Sequence, residues 1–138
     1  MKTKQVSVFL ENKSGRLREV AQILGDADIN ISAFTVADTS DFGVLRLIVD
    51  NPEKAFGILK EKNFSVRITD VLLVNSCNKP GALSHLLNIL GDAGIFIEYL
   101  YAFTVNGDKA VFVVRPTNIE KCLSILEKQR EELNGTGK

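Results

Sequence analysis

Apolar positions along the chain follow two periods in turn. Residues 6–10 read VSVFL, a short β-branched run that predicts a strand over Val6–Leu10. Leu17, Val20, Ala21 and Leu24 then recur at i, i+3, i+4 and i+7, the spacing of one helical face. The helix signals begin at Ser14–Arg16, and Gly25 to Asp28 ends them. Strand patterns return over Asn30–Val36 and Gly43–Val49, on either side of the turn-rich Asp38–Asp41. Asp50-Asn51-Pro52 opens a second helix with Pro near its first turn, and Ala55, Phe56 and Leu59 line its predicted buried face. Ser65–Thr69 is strand-like again.

The order β-α-β-β-α-β is the split βαβ arrangement of ferredoxin-like folds. It occurs twice. Residues 12–31 (NKSGRLREVAQILGDADINI) laid over residues 78–97 (NKPGALSHLLNILGDAGIFI) are identical at eleven of twenty positions without a gap, at an offset of 78 − 12 = 66. Val44–Val49 lies over Ala110–Arg115 at the same offset. The offset then slips by one, and Ala55, Phe56, Ile58 and Leu59 match Cys122, Leu123, Ile125 and Leu126. Two copies imply a pseudo-symmetric pair and not a solenoid, which needs three or more repeats. The expected fold class is α+β: two tandem βαββαβ units, residues 1–70 and 71–138, packed side by side. The second copy runs from the strand Val71–Ser76 to the helix Ile119–Leu133, with a type I′ hairpin expected at Asn106-Gly107. It stops at NGTGK, and the second unit is expected to lack its last strand. Phe64–Ser76 is either one long strand or a bent pair serving both copies.

Composition narrows the function. Lys+Arg is 17 and Asp+Glu is 17, which removes the long-range attraction of a general nucleic-acid binder. No run approaches the ~20 apolar residues of a membrane span, and the first run stops at Leu10, too short for a signal peptide. Cys77 and Cys122 are too few for a zinc site and are expected as small buried hydrophobes in a reducing compartment. A cytoplasmic protein is expected.

The repeated turn carries the candidate chemistry. Asn12 and Asn78 precede Gly15 and Gly81 where each strand gives way to a helix. Free N–H groups at a helix start attract anions, and glycine lets a ligand approach closely. An Asn side chain accepts from an ammonium or donates to a carboxylate, so the turn suits a free α-amino acid. Plain helix capping by Asn is the simpler account of the same residues. Pro80, at the position of Ser14, presets the second helix start.

The pattern Asn-x-Pro-Gly-x-Leu, followed by a helix ending in ILGDAGI and a βαβ remainder, resembles the ACT domain family over nearly the whole chain, as two copies. The resemblance implies small regulatory modules that pair side by side and bind an amino acid at their junction, between the strand-1 to helix-1 turn and the start of strand 2. Carried over, it points to Asn12, Ser14, Gly15, Arg16 and Leu17 with Asn30 and Ile31, and to Asn78, Pro80, Gly81, Ala82 and Leu83 with Ile97. The Asn30-Ile31 pair becomes Phe96-Ile97 in the second copy. The His that some members carry two residues before the turn Asn is replaced by Leu10 and Ser76; together these departures leave the ligand's identity open and imply two sites that are not equivalent.

Other residues add little. His85, the only histidine, reads as an exposed helical residue, and Glu98 as a solvated strand residue with Tyr99 and Tyr101 nearby. Lys13 and Lys79 could steer a carboxylate, yet surface lysines usually do little. No nucleophile has an evident base, and neither a P-loop nor a metal-ligand cluster is present. Arg16, Arg46, Arg67 and Asn12 keep an acylphosphatase-like alternative open, while only Phe9 stands where an RNA-binding sheet needs stacking aromatics. The expectation is a non-enzymatic sensor of a free amino acid. It needs no cofactor, forms a homodimer through exposed sheet edges, acts on an unidentified regulated protein, and touches neither nucleic acid nor membrane. The alternative is a dimerisation module without ligand.

Overall fold

The computed structural model describes residues 1–11, 15–38 and 42–135. The elements are β1 (Lys2–Glu11), α1 (Arg16–Asp26), β2 (Ile31–Asp38), β3 (Phe42–Val49), α2 (Pro52–Glu61), β4 (Ser65–Cys77), α3 (Ala82–Asp92), β5 (Ile97–Asn106), β6 (Lys109–Pro116) and α4 (Ile119–Gly135). The open question over Phe64–Ser76 resolves as one strand of 13 residues. The chain divides into two compact units, Lys4–Thr69 and a second made of Met1–Thr3 with Asp70–Lys138.

In the N-terminal unit the strands run in the order β2-β3-β1-β4. β3 is antiparallel to both neighbours, with Leu47 opposite Val6 and Leu45 opposite Val36. Alternation along β1 sends Val6, Val8 and Leu10 into the core. They meet Leu45, Leu47 and Val49 of β3, Val20 and Leu24 of α1, and Ala55 and Leu59 of α2. The buried stripe of α1 is Val20 and Leu24 with Ile23 and Ala27 packed beside them, whereas Leu17 is 45% exposed and Ala21 is exposed too. The expected stripe thus has the right spacing and is displaced by one turn. Both phases satisfy i, i+3, i+4, and contact with α2 selects the later one. Asn51 caps α2 by accepting from the Lys54 N–H at 3.2 Å, and Pro52 takes the first helical position as expected.

Helices α1, α2 and α3 stop by a common device. Ile29 N–H donates to Leu24 O at 3.0 Å and Asp28 N–H to Gly25 O at 3.1 Å, the paired bonds of a Schellman ending. The same pair follows α2, through Phe64 to Leu59 O and Asn63 to Lys60 O, and α3, through Ile95 to Leu90 O and Gly94 to Gly91 O. The motif needs one left-handed residue. Gly94 supplies it at φ 71°, while its repeat counterpart Asp28 sits at φ 61° and Asn63 at φ 68°. An L-residue in that region is strained by about 1 kcal/mol. Asp28→Gly is therefore expected to raise the unfolding free energy by roughly 0.5–1 kcal/mol, read from the urea midpoint; an unchanged or lowered midpoint refutes the account.

In the C-terminal unit β6 pairs with β4 and β5, with Val114 opposite both Leu72 and Leu100. Leu72, Leu86, Leu90, Phe112, Val114 and Cys122 form its core. Among the described residues no strand follows α4. The free side of β4 is taken instead by the first residues of the chain. The Met1 amino group donates to Leu73 O at 3.0 Å, and Leu73 N–H donates to Met1 O at 2.8 Å. This mutual exchange is the hydrogen-bonded pair of an antiparallel ladder. Lys2 and Glu120 add an exposed ion pair at 3.2 Å.

Two expectations are corrected here. The hairpin turn is not Asn106-Gly107. β5 runs through Asn106, which pairs with Lys109, leaving Gly107 and Asp108 as the connection. Neither Asn106 nor Gly107 has the positive φ that type I′ requires. The physical reason lies in Asn78, whose backbone N–H donates to Asp108 O at 3.0 Å and whose side-chain amide donates to Gly107 O at 3.2 Å. Cys122 is buried as expected, and burial pushes its thiol pKa up. Cys77 is exposed, because it is the last residue of β4, where the strand leaves the sheet.

Candidate functional site

Lys79-Pro80-Gly81-Ala82 is a type II turn. Ala82 N–H donates to Lys79 O at 3.2 Å, and Gly81 stands at φ 89°, ψ −9°. Pro80 therefore shapes the turn corner, two residues ahead of the first helical residue, and does not open the helix itself. Gly15 repeats the geometry at φ 87°, ψ −5°. A Cβ at either glycine meets open space, so it is the backbone conformation alone that demands glycine. Each glycine is the N-cap of its helix, and neither helix start has a side-chain cap. The capping account of Asn78 is thus corrected: its side chain holds the hairpin and not the helix. Asn12 and Ser14, and Lys13 between them, lie outside the described residues.

The first residue of α1, Arg16, and that of α3, Ala82, each line a cavity within their own unit. In the N-terminal unit a space of about 300 Å³ is walled by Phe9, Glu11, Arg16, Phe42, Asn63 and Phe64. The Arg16 guanidinium lies over the Phe64 ring, 5.5 Å from its centre. Its Nη1 donates to Glu19 Oε2 at 3.3 Å, and Nη2 lies 3.7 Å from Glu11 Oε1. The Phe9 and Phe42 rings meet edge to face, 6.2 Å apart. In the C-terminal unit a more open space of about 450 Å³ is bounded by Asn78, Lys79, Leu83, Ala102, Ala110 and Phe112. Ala82 also borders it. Small side chains at Ala102 and Ala110 leave the room.

The remaining expected residues stand elsewhere. Ile31 pairs with Val49, and Ile97 with Pro116, at the far end of each sheet from the turns. Asn30 there accepts from the Asp50 N–H at 3.2 Å. The length of β2 separates Ile31 from the turn end by about 23 Å. Within one unit, then, Gly15 and Arg16 do not meet Asn30 and Ile31, nor do Gly81 and Leu83 meet Ile97. Leu17 is exposed and is not part of the cavity wall. His85 is exposed, and Glu98 lies 3.7 Å from Arg115 Nε. Sequence reasoning missed Glu11, Phe42, Asn63 and Phe64, and it weighed Phe9 only as a base-stacking residue. They come from three separate segments, and no local motif links them.

Among the described residues no group of His, Cys, Asp and Glu could hold a metal ion. No helix is long and apolar enough to cross a membrane.

The chain is similar to a crystallised protein of Bacteroides thetaiotaomicron, at 48% identity and a TM-score of 0.89, covering 94% of this chain and 90% of that one. It shares the fold of the regulatory subunit of aspartate kinase from Thermus thermophilus, solved ligand free: 13% identity, TM-score 0.68, 93% and 91% coverage. It shares the fold too with part of E. coli aspartokinase III, solved in complex with lysine and aspartate: 17% identity, TM-score 0.54, covering 96% of this chain and 31% of that one. No curated protein sequence matches it. The profile of the ACT domain pair matches residues 1–134, the stretch that holds both copies of the βαββαβ pattern and both glycine turns, and the chain therefore belongs to that family.

Proposed function

We propose that this ACT domain pair is a non-enzymatic regulatory protein of the cytoplasm that binds a free amino acid beside its repeated turns. One observation carries the reading: α1 and α3 each open at a left-handed glycine without a side-chain cap, and the first residue of each helix lines a cavity, of about 300 Å³ in one unit and about 450 Å³ in the other. Spaces of that size suit small ligands, and an uncapped helix start favours a carboxylate. Aspartokinase III, part of which shares the fold, was solved with two amino acids, so this is the ligand class to test first. Ligand bound to one arrangement of the protein shifts the population toward it, and a regulated partner reads the change.

A thermal-shift screen of the common amino acids tests the reading. Ligand at a hundredfold excess over its Kd adds about 2.7 kcal/mol, a rise of several degrees in Tm for a chain of this size. A flat screen sinks it. A second reading, a dimerisation module without ligand, is favoured by Phe34, 64% exposed, and Val36, 45% exposed, on the edge strand β2. A dimer by light scattering together with a flat screen identifies that case.

A further inference from the structure

We infer that the exposed flank of α3 is an interface between two copies of this chain, in which the ridge of Leu83, Leu87 and Gly91 packs antiparallel against the same ridge of a second copy. This contact is independent of amino-acid binding. It belongs to the C-terminal unit and not to the β2 edge of the N-terminal one.

The duplication marks this face. At the offset of 66, α1 and α3 are the same helix of the repeat. Residues 16–25 of α1 include Arg16, Arg18 and Glu19, whereas residues 82–91 of α3 hold no Asp, Glu, Lys or Arg. Arg18 has become Ser84, and Ala21 has become Leu87. Leu83 is 43% exposed and Leu87 38%, one turn apart. A single exposed leucine is ordinary on a protein surface. Two in succession on a helix flank stripped of charge are not, because the flank has lost the polar side chains that keep such a surface solvated and single.

Shape and charge both fit a second copy. At about 100° per residue, Leu83, Leu87 and Gly91 form one i±4 ridge beside the buried Leu86 and Leu90. A two-fold axis at Leu87 sets that residue against its own copy and each Leu83 opposite the partner's Gly91. A Cβ built on Gly91 meets nothing within 4 Å, so the surface is bare there and the leucine enters a gap. The patch is thus complementary to itself, as a two-fold contact requires. α3 has no side-chain cap, no acidic residue in its first turn and no basic residue in its last, while α1 carries Glu19 in its first turn. Antiparallel pairing sets the positive start of each α3 beside the negative end of the other and brings no like charges together on the flank. Helices about 16 Å long meet over less than the ~1,200 Å² of a standard interface. The dimer is therefore weak, with a Kd between about 10 µM and 1 mM.

Sedimentation equilibrium of the full chain without added ligand, from about 5 µM to 2 mM, tests this. The expected result is a monomer–dimer equilibrium within that range. Leu87→Glu sets two like charges on the axis and leaves only monomer. Gly91→Gln fills the gap and weakens the dimer by about tenfold or more. Both positions are exposed. Gln also favours a helix more than Gly does, so Gly91→Gln keeps or raises the Tm while it weakens association, which separates a lost contact from a lost fold. Ala21→Glu, the same change at the matching place on α1, leaves the dimer intact, and so does Phe34→Glu on the β2 edge. A dimer that survives both Leu87→Glu and Gly91→Gln overturns the inference; if Phe34→Glu dissociates that dimer, association runs through β2 instead. Monomer at every concentration overturns the α3 contact, and the amino-acid reading is then decided by its own screen.

Discussion

Leu24→Ala is expected to lower the unfolding free energy by about 3 kcal/mol. Leu24 is fully buried among Val6, Val20 and Leu59, in a core drawn from two helices and two strands. Removing its branched end loses the transfer energy of the deleted carbons and leaves a cavity that neighbours on four elements cannot all close at once. Native proteins hold only about 5–15 kcal/mol in reserve, so one truncation takes a large share. Leu17→Ala is the matched control. It lies on the same helix, in the stripe that periodicity alone predicts, yet it is 45% exposed. Its expected cost is within about 0.5 kcal/mol. Urea unfolding with an unchanged slope measures both. Equal costs at the two positions contradict the observed phase of α1.

Removing the first residues should also be costly. A chain whose initiator Met stands directly before Lys4 loses both backbone bonds to Leu73 and the Lys2–Glu120 pair. Each backbone bond contributes about 1 kcal/mol net, and the exposed ion pair adds little. The expected loss is therefore about 2 kcal/mol, and the freed edge of β4 becomes open to pairing with other chains. The direct readout is hydrogen exchange at the Leu73 amide, which donates to Met1 O at 2.8 Å. Its protection falls sharply in the shortened chain, while amides in the middle of β3 keep theirs. A Leu73 amide that stays as slow as before would show that the first residues do not complete this unit.

These variants probe different kinds of information. The turn glycines were legible because a left-handed residue has a local cost that a single residue type avoids, and that cost is visible as Gly15 and Gly81 in the same place in both copies. Arg16 was legible as their neighbour. The rest of the N-terminal cavity was not. Glu11, Phe42 and Phe64 are brought together by antiparallel pairing of β1 with β3 and by the Schellman ending of α2, and neither writes a motif. Asn30, Ile31 and Ile97 were grouped with the turns by resemblance, yet an antiparallel β2 begins where β3 ends, which puts them at the other end of the sheet from the turn of their own unit.

The sequence by itself determined the βαββαβ order, the duplication, the helix start at Asp50-Asn51-Pro52 and the glycine turns, because each depends on energies felt within a few residues. Only the tertiary structure decided which face of α1 is buried, that Asn78 holds the Gly107 hairpin and not a helix, and that Met1–Thr3 completes the unit formed by the far end of the chain. Those outcomes depend on which surfaces and which unpaired backbone groups find each other in space, and chain order does not encode that locally.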